Sequence, residues 1–73
     1  MFFLVQIQRT TAGEYSKGVV VKNTLESARQ SFHAYLGAYG FGNNPEIDYV
    51  QCMVIDDEGR VRDSVVDNRI VKE

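Results

Sequence analysis

Leu25, Ala28, Phe32, Tyr35, Leu36 and Tyr39 fall within one arc of roughly 100° when each residue is turned by ~100° about a helix axis. This is the one helical stripe in the chain; the other apolar runs alternate with period two. A single amphipathic helix among several strands has one way to bury its stripe, which is to lie on a sheet. The helix is predicted from about Thr24 to about Tyr39. Asn23 is read as its N-cap, with Glu26 placed to reach back to the cap amide. Gly37 and Gly40 mark its end, and Gly40-Phe41-Gly42-Asn43-Asn44-Pro45 reads as a loop.

Four strands surround it. The first, Phe2 to Arg9, has a clean apolar set at Phe3, Val5 and Ile7. Its other face starts apolar at Phe2 and Leu4 and turns polar at Gln6 and Gln8. Residues 10–14 read as a hairpin loop with Gly13 free to take positive φ. The second strand, Tyr15 to Lys22, holds Val19-Val20-Val21, and Gly18 within it suggests a bulge or a close backbone approach. The third, about Ile47 to Ile55, is apolar on both faces, with Tyr49, Met53 and Ile55 on one and Val50, Cys52 and Val54 on the other. A turn at Asp56-Asp57-Glu58-Gly59 leads to a fourth strand from Arg60 to about Val66, and residues 67–73 read as a short extension or a frayed end. The predicted fold is α+β: a two-layer β-β-α-β-β sandwich with one helix packed on a four-stranded, mainly antiparallel sheet, in a single domain over residues 1–73.

Size makes such a domain dependent on help. With 73 residues, 44 % of them apolar, it buries only about 60 % of its unfolded surface. One cysteine, Cys52, excludes an internal disulfide and disfavours structural zinc, which takes four ligands. Oligomerisation is the remaining support. No apolar run approaches the ~20 residues of a membrane helix, and Met-Phe-Phe-Leu-Val lacks the basic lead of a secretion signal, so neither a membrane partner nor export is expected. One helix covers one sheet face, so Phe2 and Leu4 are expected on an uncovered, interface-forming face. Ser27, Ser31, Ala34 and Ala38 form a stripe of small residues suited either to close helix–helix contact or to plain solvent exposure. A homo-oligomer, dimer or higher, is predicted.

The formal charge of −2 is unevenly spread. Residues 1–33 carry +2 and residues 34–73 carry −4. A pI near 5.3 gives no broad basic face, so double-stranded DNA is not expected as a partner. No catalytic set emerges. His33, the only histidine, has no nucleophile at a matching position, and Cys52 between Val50 and Val54 reads as a small buried hydrophobe. Asp56-Asp57-Glu58 lacks the spacing of a calcium loop and reads as a solvated turn. The chain is predicted not to be an enzyme and to need neither cofactor nor metal. What survives is aromatic and basic. Arg9, Lys17 and Arg29 can supply positive charge, Tyr15 or Tyr35 a stacking face, and His33 a pH-dependent hydrogen bond, together a predicted set for a small anionic ligand such as a nucleotide. The competing reading is that most of these aromatics simply fill a small core.

The segments Phe3-Leu4-Val5-Gln6-Ile7-Gln8-Arg9-Thr10, Tyr15-Ser16-Lys17-Gly18 and Ser31-Phe32-His33-Ala34-Tyr35-Leu36-Gly37-Ala38-Tyr39 resemble a group of short proteins of unassigned activity encoded by phages of Firmicutes. The resemblance covers most of the first 55 residues; the acidic tail after Gly59 is least alike. It implies a small accessory protein working stoichiometrically in the host cytoplasm, either sequestering a nucleotide signal of host immunity or binding a host protein. Two expectations follow: a homo-oligomeric anti-defence protein that captures a nucleotide, or an interaction module that inhibits or adapts a host or virion protein through its exposed sheet face.

Overall fold

The computed structural model describes residues 1–70. The elements run β1 (Phe2–Thr10), β2 (Tyr15–Lys22), α1 (Leu25–Tyr39), β3 (Ile47–Asp56) and β4 (Val61–Asn68). All neighbouring strands are antiparallel and the sheet order is β2-β1-β3-β4. The β-β-α-β-β reading is therefore the observed fold. β1 and β3 are central, and the β2–α1–β3 connection carries the helix over them. Residues 71–73 of the expected tail lie outside the described residues, while Asp67 and Asn68 extend β4.

Local chemistry sets the joints. In the first hairpin Gly13 takes φ +92°, and the Thr10 amide donates to the Glu14 carbonyl at 2.9 Å. In the second, Asp56 Oδ1 accepts from the Glu58 and Arg60 amides at 3.0 and 2.9 Å. The Arg60 amide above all, helped by the Glu58 amide and by Arg62 nearby, holds the Asp56 carboxyl below its usual range, and together they outweigh the desolvation that raises it. The helix starts one residue later than Asn23 implied. Thr24 is the N-cap, in extended geometry, and its Oγ1 accepts from the Ser27 amide at 3.1 Å. Glu26 then sits in the first turn without the reciprocal capping role, since the third helical position is Ser27.

Eight buried residues form the core: Leu4, Ala28, Phe32, Leu36, Ile47, Val50, Cys52 and Val54. Phe2, Leu25, Tyr35, Tyr39 and Val65 pack around them, so the helical stripe faces the sheet as its spacing predicted. The expectation for β1 is corrected. Leu4 is 0 % exposed and Phe2 packs on the core, so both lie under the helix and not on an open face. The cause is register: Leu4 stands opposite Val54 and Gln6 opposite Cys52, and the unbroken row Val50, Cys52, Val54 makes that side the core. Gly18 is not a bulge either, because the β1–β2 register runs unbroken from Phe2–Lys22 to Arg9–Tyr15. The irregularities fall instead opposite Arg9/Thr10 on β3 and at Val54/Ile55 against β4.

Candidate functional site

The register places a grid of side chains on the sheet face away from the helix. Across the strands, Val21, Phe3, Ile55 and Val61 make one row, Val19, Val5, Met53 and Ser64 the next, and Lys17, Ile7, Gln51 and Val66 the third. Among the described residues no element covers these rows. Val19 is 61 % exposed, Val21 52 %, and Val61 and Val66 55 % each. With strands ~4.8 Å apart and same-face residues ~6.8 Å apart, the first two rows with Ile7 and Val66 of the third span on the order of 300 Å². A contiguous patch of that size on a monomer is commonly a binding surface.

The fourth row is polar: Tyr15, Arg9, Tyr49 and Asn68. The Arg9 guanidinium carbon lies 6.0 Å from the Tyr15 ring centre, and the Tyr15 and Tyr49 rings meet edge-on at 6.4 Å. Arg9 Nη1 donates to Asp48 Oδ2 at 2.5 Å. Asp48 is the residue left over where the β1–β3 register shifts, which brings its carboxylate beside Arg9. The other oxygen, Oδ1, is buried without a hydrogen-bond partner. Tyr49 Oη donates to Gln51 Oε1 at 3.2 Å and Gln51 Nε2 to Met53 Sδ at 3.8 Å, a chain of contacts that orders the centre of the face. Behind Arg9 opens a cleft of about 500 Å³ bordered by Asn44, Ile47, Asp48 and Arg69. Its two arginines are each paired, Arg9 with Asp48 and Arg69 with Asp67 at 3.1 Å, so the cleft has no surplus positive charge.

The six residues predicted for one ligand do not converge. Arg9, Tyr15 and Lys17 lie together at the polar end of the open face. Tyr35 is on the inner side of α1, where its hydroxyl donates to Gln8 Oε1 at 2.8 Å. Burial, and then the neighbouring Cys52 and Tyr39, push that hydroxyl up to about 12. Arg29 reaches the opposite edge and donates to Asp63 Oδ2 on β4 at 2.7 Å. His33 is exposed, its ring edge-on to Phe32 at 5.3 Å. A smaller groove of about 260 Å³ between β2 and α1 is bordered by Lys17 and Tyr35, with Gln6, Gln8 and Ser16. Of the small-residue stripe, Ala34 and Ala38 are exposed and Ser27 and Ser31 half-buried.

Cys52 is fully buried and its thiol is pushed up to about 11 by that burial, which leaves almost no thiolate at neutral pH. Among the described residues no three His, Cys, Asp or Glu side chains cluster as metal ligands, and no helix is long and apolar enough to cross a membrane. Sequence reasoning missed the site's centre. The clean Phe3-Val5-Ile7 alternation and the Val19-Val20-Val21 run were its signals, but alternation alone does not say which face a helix takes. Asp48 carried no signal, since a register shift brings it to Arg9, whereas Tyr49 was legible as an aromatic on one face of β3 but its partner Arg9 is set by strand pairing. Comparison of the chain with protein-family models, with curated proteins and with solved structures finds no match, so the open face and its polar end stand as the candidate site on geometry alone.

Proposed function

We propose that the protein is a non-enzymatic interaction module that acts stoichiometrically by seating the open face of its sheet on a protein partner. One observation carries the reading: two neighbouring rows that are apolar but for Ser64, continued by Ile7 and Val66 in the third, with Val19, Val21, Val61 and Val66 more than half exposed on a face that no element among the described residues covers. The polar row at one end supplies the rim that an apolar docking surface needs for orientation, with Arg9 and two tyrosines of the type enriched in binding hot spots. The resemblance to short phage proteins supports a host or virion protein as the partner and the host cytoplasm as the place of action. A photo-crosslinking residue at Val61 or Val66, introduced during infection, is expected to give one discrete protein adduct, and the same residue at His33 or Ala34 on the outer helix none. Equal labelling from both positions would overturn the proposal.

A second reading is favoured by the Arg9–Tyr15–Tyr49 cluster with Lys17 on the adjoining row. Arg9, paired with Asp48, orders the two rings and Lys17 supplies the charge, an arrangement that suits a small anion bearing a base, such as a nucleotide immune signal that the protein sequesters. Native mass spectrometry before and after heat release tests it. A small-molecule mass that leaves on heating and is absent from Arg9→Ala supports capture; a clean protein mass in both samples rejects it.

A further inference from the structure

β2 and β4 are the two edges of the sheet, and the chain treats them differently. The β4 edge is blunted by a register shift at Val54/Ile55 and by Arg62, Asp63 and Asp67, with Arg62 and Asp63 engaged by Asp56 and Arg29. The β2 edge carries charge only at Lys17 and Lys22, and it has no shift, no proline and an unbroken register over its whole length. It is also bare on both faces: apart from Gly18 and Lys22, which are half-buried, every residue of β2 is exposed, including all three valines. An edge of this kind is a template for another strand.

The backbone says which groups are on offer. The Thr10 amide bonds the Glu14 carbonyl, so Thr10–Glu14 is a hydrogen-bonded pair. Antiparallel alternation then turns Ser16, Gly18, Val20 and Lys22 towards β1 and leaves the amides and carbonyls of Tyr15, Lys17, Val19 and Val21 pointing outward. One antiparallel register satisfies all four of these residues against the same four of an identical strand: Tyr15 with Val21 of the second copy and Lys17 with its Val19, and the reverse. That register centres on Gly18 facing Gly18, where the absence of side chains lets the backbones meet freely. It puts Glu14 opposite Lys22 at both ends, pairs an aromatic ring with a β-branched residue twice, and keeps the two Lys17 residues from standing opposite each other.

We propose that β2 is a pairing edge for a second copy of this chain, joined antiparallel about a two-fold axis at Gly18. Two four-stranded sheets become one continuous sheet, with both helices on one side and both open faces joined on the other. The groove between β2 and α1, bordered by Gln6, Gln8, Ser16 and Tyr35, lies beside this edge strand, and the second copy extends its floor. This inference does not rest on the open-face reading, whose test positions Val61 and Val66 lie two strands away from β2.

Sedimentation of the purified chain is expected to give about twice its 8.3 kDa mass. Val19→Pro removes an outward amide without touching the β1 ladder and is expected to give a folded monomer. Gly18→Cys is expected to form a symmetric disulfide on mild oxidation, because directly opposed residues of a non-hydrogen-bonded pair lie within disulfide reach. Cysteine at Val61 is expected not to cross-link. A wild-type monomer overturns the proposal. So does a dimer that persists in folded Val19→Pro, or one that Gly18→Cys fails to cross-link, the outcome that decides if Val19→Pro does not fold.

Discussion

Cys52 and Tyr35 illustrate what a small core does to individual side chains. Cys52 stands between Val50 and Val54 on the helix-covered face of β3 and has no contact with water. A thiol raised from 9.0 to about 11 holds about a hundredfold less thiolate at any pH below 9, before steric protection is counted. Disulfide-exchange labelling of the native chain at pH 8 is expected to be undetectable over the time in which guanidinium-unfolded protein labels fully. Prompt labelling of native protein would mean that β3 is not buried under α1. Tyr35 tests the same packing from its rim. Its hydroxyl is raised from 10.0 to about 12, so the unfolded chain loses that proton first. Stability from this group is complete below pH 10 and is lost between pH 10 and about 12. Urea midpoints measured across that window are expected to fall more steeply for the wild type than for Tyr35→Phe. At neutral pH the same substitution is expected to cost about 0.5–1.5 kcal/mol through the lost bond to Gln8. Parallel pH curves for the two proteins would remove Tyr35 from the account.

At the scale of elements, the helix is held by its cap as well as by its stripe. Thr24 Oγ1 on the Ser27 amide satisfies one of the four free amides at the helix start. Thr24→Ala is therefore expected to lower stability by about 1 kcal/mol in chemical denaturation, and Asn23→Ala by much less. The reverse order would restore Asn23 as the cap. Two candidate cap residues lie side by side in the sequence, and only the backbone angle at which the chain leaves β2 chooses between them. The same division runs through the strands. Their number, order along the chain and bounds follow from period-two runs and from Gly13 and Gly59, because these are local properties. Which face of β1 is covered is not local. Phe3, Val5 and Ile7 are the cleaner apolar set, yet Leu4 is in the core, since pairing with β3 aligns it with Val54. The candidate ligand residues share that limit. Arg9, Tyr15 and Lys17 meet because a hairpin joins them, whereas Arg29, His33 and Tyr35 on one helix point to three different surroundings. Sequence proximity on a helix does not make a pocket.

For the whole molecule, the question is whether the open face belongs to folding or to binding. The core is eight residues gathered on one side of a single sheet, and a domain this small holds a modest margin. Leu4→Ala removes a side chain with 0 % exposure from the middle of that core and is expected to cost about 2–5 kcal/mol, enough to leave a substantial unfolded fraction. Val66→Asp changes an equally apolar position on the other side of the same sheet, at 55 % exposure. If that face exists to bind, the substitution has no packed neighbours to disturb, and its effect stays within about 1 kcal/mol, the range of strand propensity at a solvated position. The two variants therefore separate cleanly by thermal unfolding together with binding of an apolar fluorescent dye. Leu4→Ala is expected to unfold early and to gain dye fluorescence as packing loosens. Val66→Asp is expected to keep the wild-type transition within a few degrees and to lose dye fluorescence as the apolar rows are interrupted. A Val66→Asp chain that unfolds like Leu4→Ala would show that the face is buried in the form that folds. The apolar rows would then be a second core completed by another chain, and binding would be a condition of the fold itself.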